Sequence, residues 1–302
     1  MIGRIFPYKK IVTCYICLCM TIVLMVIMPI DALAATEVSQ VESDKEFVNE
    51  IYQNLIAHKT VFTIEYEKKI TDILGVEKAS QITNGMFSGY MDKIMGKVYA
   101  KDQKTSSDHD YLKWSVKGLK WSLQYGSLTL YPTIEFEFEY NESVDQLKKV
   151  NTRIKKILDE LTIEDATDYK KVKLIHDYVA NYANYNLGGT GFSAYAALIQ
   201  KKAVCQGYSL AVYKLLTEAG IPCRIITGQG NGGSHAWNIV LLNGKWYNLD
   251  VTWDDPIGAS KISYDYFLKG TKEFYKDHVP DAEFKSDSFK KKYNLSSSNY
   301  KK

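Results

Sequence analysis

The chain has 302 residues, of which 46% are hydrophobic and 24% are charged, and its formal net charge is +3. This composition is that of a globular protein of one large domain or two modest ones, and it excludes a disordered or fibrous chain. The near-neutral charge gives no electrostatic basis for binding nucleic acid or an anionic membrane surface.

The first 34 residues have the three parts of a secretory signal peptide. Arg4, Lys9 and Lys10 precede an uncharged apolar run, and the small residues "ALA" at 32–34 follow it. We therefore predict a signal peptide over 1–34 and a secreted or cell-surface protein. The run of about 20 residues could also span a bilayer, so an uncleaved membrane anchor is the alternative. Removing the segment lowers the formal charge from +3 to +1, because three basic residues and one acidic residue leave with it.

Residues 36–141 carry helix and strand signals but no chemical motif. Residues 44–58 repeat apolar side chains at helical spacing, whereas "VFTIEYE" at 61–67 alternates like a strand. Over 111–140, the pair "LKWSV" and "LKWSL" and the alternating "TIEFEFEY" predict two or three antiparallel strands, although a seven-residue echo also suits a helix face. We expect a small α+β domain here.

The pattern changes to long helices near residue 142. Apolar residues follow helical spacing over 147–161 and again over 169–182, and a loop with three glycines follows at 188–191. We assign residues 142–290 to a second domain. The tail at 291–302, which ends in "SSSNYKK", is predicted to be disordered.

Cys205 stands at the start of a predicted helix that ends at Gly220. Unpaired backbone N–H groups and the positive end of the helix dipole stabilise a thiolate at such a position. Without such partners, however, a cysteine is more often a small hydrophobic residue of the core. A nucleophilic thiolate also needs a base, and the base needs a group that orients it.

The segment 234–255 supplies both groups on one predicted hairpin. Two apolar runs flank Asn243-Gly244, a strong signal for a two-residue turn. With residue 242 facing 245, His235 and Asp250 project from the same face of the ribbon as diagonal neighbours, about 7–8 Å apart at Cα. A slip of one residue would separate them onto opposite faces. The unpaired carboxylate in an apolar strand also needs a partner, which a histidine provides.

Two cysteines remain outside the leader, and we predict that both are free thiols. A helix over 206–219 places Cys205 ~20 Å from the helix end. The strand that follows recovers at most ~10–13 Å before Cys223, whereas a disulfide needs Cα atoms within about 7 Å. We interpret Cys223 as a buried strand residue.

The remaining histidines and tryptophans have structural interpretations that compete with functional ones. His176 is predicted to pack or to hydrogen-bond locally within its helix, and Trp237 and Trp253 to form core or the wall of a substrate groove. Outside residues 1–34, which contain Cys14 and Cys17, no Cys-x-x-Cys or His-x-x-x-His pair is present, so we predict no metal site.

The segments "AVCQGYSLAVYKLLTEAGIPCRIITG", "SHAW" and "KWYNLDVTWDDP" resemble the bacterial transglutaminase-like domains over residues 145–275. The resemblance implies an α+β, papain-like core in which the helix carrying the cysteine packs on an antiparallel sheet. It implies that Cys205 is the nucleophile, His235 the base and Asp250 the orienting carboxylate. The amide of Cys205 and the side chain of Gln200 are the candidate oxyanion donors.

The resemblance further implies a thioester intermediate formed on a protein or cell-wall amide and resolved by an amine or by water. No cofactor is expected, because no acidic calcium loop is visible and the calcium dependence of animal transglutaminases does not carry over. A catalytically silent binding or scaffolding module at the cell surface is the alternative function.

Overall fold

The structure, a computed structural model, describes residues 38–101, 109–126, 129–258 and 261–302. The predicted signal peptide lies outside these residues. The described residues divide into two compact units: an N-terminal unit of residues 38–101 and 116–140, and a C-terminal unit of residues 109–115 and 141–302.

The N-terminal unit is an α+β domain built on one four-stranded sheet. Its strands are β1 (Val38–Val41), β2 (Val61–Tyr66), β3 (Val116–Tyr125) and β4 (Pro132–Tyr140), in the order β1-β2-β4-β3. Its helices are α1 (Asp44–Ile56), α2 (Ile70–Leu74) and α3 (Asn84–Ala100), with a 3₁₀ turn at Ala79–Gln81. β4 alternates as predicted, because Ile134, Phe136 and Phe138 are buried while the glutamates between them face solvent.

The prediction of strand structure from residue 111 is wrong at its start. Residues His109–Ser115 form helix α4, which belongs to the C-terminal unit. The carboxylate of Asp110 accepts two hydrogen bonds from Arg224, at 2.6 and 2.9 Å, and one from the backbone N–H of Ile225 at 2.8 Å. Tyr111 is buried in the core of that unit. These distant partners stabilise a helix that the local sequence leaves ambiguous.

The C-terminal unit is mixed α+β, as predicted. Its helices are α5 (Val144–Glu160), α6 (Asp168–Tyr182), α7 (Ala194–Leu198), α8 (Cys205–Glu218), α9 (Thr271–Phe274), α10 (Ala282–Lys285) and α11 (Asp287–Lys292). Its strands are β5 (Asn184–Tyr185), β6 (Lys202–Ala203), β7 (Cys223–Gly230), β8 (Gly233–Leu242), β9 (Lys245–Leu249) and β10 (His278–Pro280). An antiparallel sheet has the order β10-β7-β8-β9, and β5 pairs with β6 in parallel. Helix α8, which carries Cys205, packs on β7 and β8.

The β8–β9 hairpin has the predicted register. Leu242 pairs with Lys245, and Asn238 pairs with Leu249. The two turn residues, Asn243 and Gly244, have φ values of 50° and 74°, the left-handed conformation that this type of turn requires. The register of β8 and β9 is therefore the one that the sequence predicts.

The prediction that residues 291–302 are disordered is wrong. The backbone N–H of Trp246 donates to the carbonyl of Asn294, and the carbonyl of Trp246 accepts from the N–H of Ser296, so the tail pairs with the outer edge of β9. Tyr300 stacks on Tyr169 with ring centroids 5.4 Å apart. Polar composition suggested disorder, but these backbone hydrogen bonds and the ring contact hold the tail against the unit.

Among the described helices, none has the length and apolarity that a bilayer crossing requires.

Candidate active site

Cys205 is the first residue of α8, and its side chain is partly exposed. The residue before it, Val204, is extended and offers no capping side chain. The N–H groups of the first helical turn therefore remain available to a negative charge next to the thiol. Because the Cys205 amide belongs to this group, it is a suitable donor to an oxyanion that forms at the sulfur.

The glycine loop before α8 lies against the start of this helix. Val204 donates its N–H to the carbonyl of Gly191 at 3.1 Å. A Cβ at Gly207 would lie 2.5 Å from that carbonyl oxygen, and one at Gly191, where φ is +95°, would lie 2.7 Å from the carbonyl of Lys202. Glycine at both positions permits this approach, which fixes the backbone around Cys205.

His235 and Asp250 form a buried pair at the end of the β8–β9 hairpin. Nε2 of His235 lies 2.6 Å from Oδ2 of Asp250, and the two side chains are 7% and 1% exposed. Because Nε2 is engaged by the carboxylate, Nδ1 is the ring nitrogen left to face the thiol of Cys205. His235 also forms a side-chain hydrogen bond with Cys205, so the structure brings the three predicted residues together.

The carboxylate of Asp250 receives four hydrogen bonds. Oδ1 accepts from the backbone N–H groups of Thr252 at 3.0 Å and Trp253 at 3.2 Å. Oδ2 is shared by the Nε2 atoms of His235 and His278, at 2.6 and 3.1 Å. Burial favours the neutral acid, but the charge and hydrogen bond of His235, and then those of His278, outweigh it and lower the pKa of Asp250 to about 2.

His235 is held in its charged form by the same contacts. Burial lowers its pKa, but the charge and hydrogen bond of Asp250, followed by those of Cys205, raise it to about 10. A cationic imidazole beside the thiol at the helix start supplies the counter-charge that a cysteine nucleophile with a histidine base requires.

Aromatic rings hold the imidazole of His235 in place. Trp253 stacks on it with centroids 5.0 Å apart and planes 29° apart, and Trp237 lies at 6.1 Å. A Cβ on Gly230 would lie 2.7 Å from Trp253 and 3.1 Å from the His235 ring. The absence of a side chain at 230 therefore makes room for both rings.

Four further residues singled out in the sequence have different outcomes. Trp237 does not line a groove, because it is 1% exposed and its indole N–H donates to Asn248 in the interior. Trp253 covers His235 and is half-buried. Gln200 is exposed, and its role as an oxyanion donor stays a prediction. Cys223 is buried, and both thiols are free, as predicted.

Two histidine contacts at the site were missed by the sequence analysis. His278, which is fully buried, shares Asp250 with His235. His176 pairs with Asp177 in its own helix, as expected, but also with Asp254 at 3.1 Å, four residues beyond Asp250. His278 lies on a strand of three residues and Asp254 in a turn, so neither belongs to a periodic pattern that could indicate it. The adjacent acidic residues of "DH" and "HD" are the only local signal.

His235, Asp250 and His278 are the described residues that could together hold a metal ion, because their ligand atoms lie within 4.8 Å of one another. Two of the contacts are already at hydrogen-bond distance, 2.6 and 3.1 Å. Ligand atoms about 2.0–2.2 Å from a tetrahedral zinc stand further apart than the shorter of these. The arrangement fits a hydrogen-bonded charge cluster better than a metal centre.

Residues 155–251 match the family model described as Transglutaminase-like superfamily. The kyphoscoliosis peptidase of Homo sapiens is 27% identical over 150 residues, which are 41% of this chain and 23% of that protein. The kyphoscoliosis peptidase of Mus musculus is 26% identical over 157 residues, 44% of this chain and 24% of that protein. The chain thus spans less than a quarter of the length of these curated relatives.

Solved structures give lower similarity. A crystal structure of a TGase has a TM-score of 0.36 at 15% identity, covering 78% of this chain and 64% of that one. The periplasmic domain of TgpA from Pseudomonas aeruginosa has a TM-score of 0.30 at 15% identity, covering 43% of this chain and 60% of that one.

Proposed function

We propose that the chain is an exported thiol acyltransferase, cysteine peptidase or amidase, because residues 155–251 match the transglutaminase-like superfamily. Its substrates are amides of proteins or of cell-wall peptides. The observation that carries the proposal is the continuous contact from Cys205 through His235 to the buried carboxylate of Asp250. The predicted leader at 1–34 supports export to the cell surface.

The reaction starts with the thiolate of Cys205. Nδ1 of His235 holds the thiol proton, and the sulfur attacks the carbonyl carbon of the amide. The amide of Cys205 donates to the oxyanion. When the C–N bond breaks, His235 gives its proton to the departing amine, which leaves a thioester on Cys205.

The thioester is resolved by a second nucleophile. His235 takes a proton from water or from a primary amine, the nucleophile attacks the thioester carbon, and the thiol of Cys205 is released. Water yields a carboxylic acid, and an amine yields a new amide. Throughout, Asp250 holds the imidazole in the orientation that presents Nδ1 to the sulfur.

Alkylation of Cys205 tests the proposal without knowledge of the substrate. In a Cys223→Ala background, iodoacetamide modifies Cys205 rapidly near pH 7, and His235→Ala slows this modification by about tenfold or more, because the thiolate loses its counter-charge. Equal and slow modification of both proteins would count against a catalytic site and favour a silent binding module.

The second substrate is identified by products. The protein without residues 1–34 is incubated with a fluorescent primary amine and a glutamine-rich protein, with Cys205→Ala as the control. Incorporated label indicates amine transfer, and new peptide ends or released ammonia indicate hydrolysis. If neither product forms above the Cys205→Ala control, the enzymatic proposal is wrong.

A further inference from the structure

The candidate site contains a second imidazole that the reaction above does not use. His278 lies on β10, outside the segment 155–251 that matches the family model, and none of its side chain is exposed. Its Nε2 is 3.1 Å from Oδ2 of Asp250, the oxygen that also receives Nε2 of His235. A carboxylate oxygen only accepts, so both imidazoles donate to it.

The second nitrogen of His278 and the faces of its ring also have partners. Nδ1 lies 2.7 Å from Oδ1 of Asp277, whose Oδ2 accepts the hydroxyl of Tyr266 at 2.8 Å. Phe274 stacks on the ring with centroids 3.9 Å apart, and Trp253 lies at 4.2 Å. Both nitrogens are hydrogen-bonded and the ring is stacked, so the orientation of the His278 imidazole is fixed.

These contacts determine how Asp250 can turn. Backbone N–H groups hold Oδ1, and His278 approaches Oδ2 beside His235, so rotation of the carboxylate would break bonds on both oxygens. We propose that His278 is a positioning residue that holds Oδ2 of Asp250 in line with Nε2 of His235. This inference rests on the proposed function, because it assigns His278 a role in orienting the base.

The titratable groups that contact His278 in the described structure are Asp250, Asp277, His235 and Tyr266. Loss of the Nε2 donor removes one of the interactions that keep Asp250 ionised. A less ionised Asp250 holds the imidazolium of His235 less firmly beside Cys205, so the acid limb of the pH profile for alkylation of Cys205 should move to higher pH. A purely structural role for His278 predicts a lower alkylation rate at every pH instead, with no shift of the profile.

Two amide substitutions separate the nitrogens of His278 in the full chain with Cys223→Ala. Alkylation of Cys205 is followed by peptide mass spectrometry, because Cys14, Cys17 and Cys19 also react. His278→Gln places its amide nitrogen near the position of Nε2, and His278→Asn places it near that of Nδ1. The Gln variant should be alkylated at Cys205 within about threefold of the parent, and the Asn variant about tenfold more slowly at pH 6. Only the Asn variant should show the acid limb of its profile moved to higher pH.

Equal rates and unshifted profiles in the two variants would overturn the inference. The proposed function is tested separately, by the difference between the parent protein and His235→Ala. If circular dichroism shows that neither His278 variant folds, Phe274→Leu carries the test, because Phe274 stacks on the His278 ring with centroids 3.9 Å apart. Without that contact the ring can turn and withdraw Nε2 from Oδ2 of Asp250, so the acid limb should move to higher pH, and an unchanged profile contradicts the role.

Discussion

Nε2 of His235 and Oδ2 of Asp250 lie 2.6 Å apart in a nearly dry site. The contact lowers the pKa of the acid to about 2 and, with Cys205, raises that of the base to about 10. Both groups are therefore charged across the whole physiological range. The pair has two consequences that can be measured separately, one for the stability of the fold and one for the reactivity of the thiol.

The first prediction concerns stability against pH. Because the pKa of His235 is raised on folding, its stabilisation is complete below about pH 6.5 and is lost as the pH rises towards 10. The pKa of Asp250 is lowered, so its stabilisation is present above about pH 4 and is lost as the pH falls towards 2. His235→Gln should lower the free energy of unfolding by about 1.5–3 kcal/mol at pH 6 and by less at pH 10.

Urea unfolding of parent and variant at pH 6 and pH 10 measures this difference. A difference that stays constant between the two pH values would mean that the charge of His235 does not contribute to stability.

The second prediction concerns Asp250→Asn. The amide cannot stabilise the imidazolium, so amide turnover by Cys205 should fall by about 10²–10⁴-fold while the fold is retained. Asp265→Asn is the matched control, because Asp265 is exposed. Its turnover should equal that of the parent. A small effect of Asp250→Asn on turnover would remove Asp250 from the proposed mechanism.

The third prediction uses two glycines of one hairpin. A methyl group at Gly230 meets Trp253 at 2.7 Å and His235 at 3.1 Å, whereas one at Gly233 meets its nearest neighbour only at 3.7 Å. Gly230→Ala should displace the imidazole, slow the alkylation of Cys205 about tenfold and destabilise the protein by about 1–3 kcal/mol. Gly233→Ala should alter neither quantity, and similar effects of the two substitutions would show that the contact with the rings is not the cause.

The fourth prediction concerns the anchor of α4. Asp110→Ala leaves the guanidinium of Arg224 and the N–H of Ile225 without their acceptor in a buried site, which should cost about 3–5 kcal/mol of unfolding free energy. Glu283→Ala removes the partner of Lys113 at the exposed side of the same helix, and it should cost at most about 1 kcal/mol. Chemical unfolding measures both, and comparable losses would contradict the anchoring role of Asp110.

Much of the site could be predicted because its signals are local. The two-residue turn at Asn243-Gly244 fixes the register of β8 and β9, and that register alone puts His235 and Asp250 on one face. Likewise, Gly220 ends the helix whose first residue is Cys205. In each case a few adjacent residues determine the geometry.

The parts that could not be predicted depend on partners far along the chain. Helix α4 is held by Arg224, 114 residues away, and His278 reaches Asp250 from a strand of three residues. The tail at 291–302 is ordered by the backbone edge of β9, a feature that is independent of side chains. Sequence periodicity shows only which face of a helix or strand is apolar. These three contacts are polar and join distant segments, so periodicity could not predict them.

The anchoring of α4 also determines how the protein can be divided. The polypeptide crosses between the two units on either side of α4 and again at residues 140–141, so a single cut cannot separate the units. A fragment that starts at residue 142 loses the acceptor for Arg224 and the carbonyl of Trp114, which binds the side chain of Gln206, the neighbour of Cys205. An autonomous version of the C-terminal unit therefore requires residues 109–115 to be rejoined to it, by circular permutation or as an added peptide.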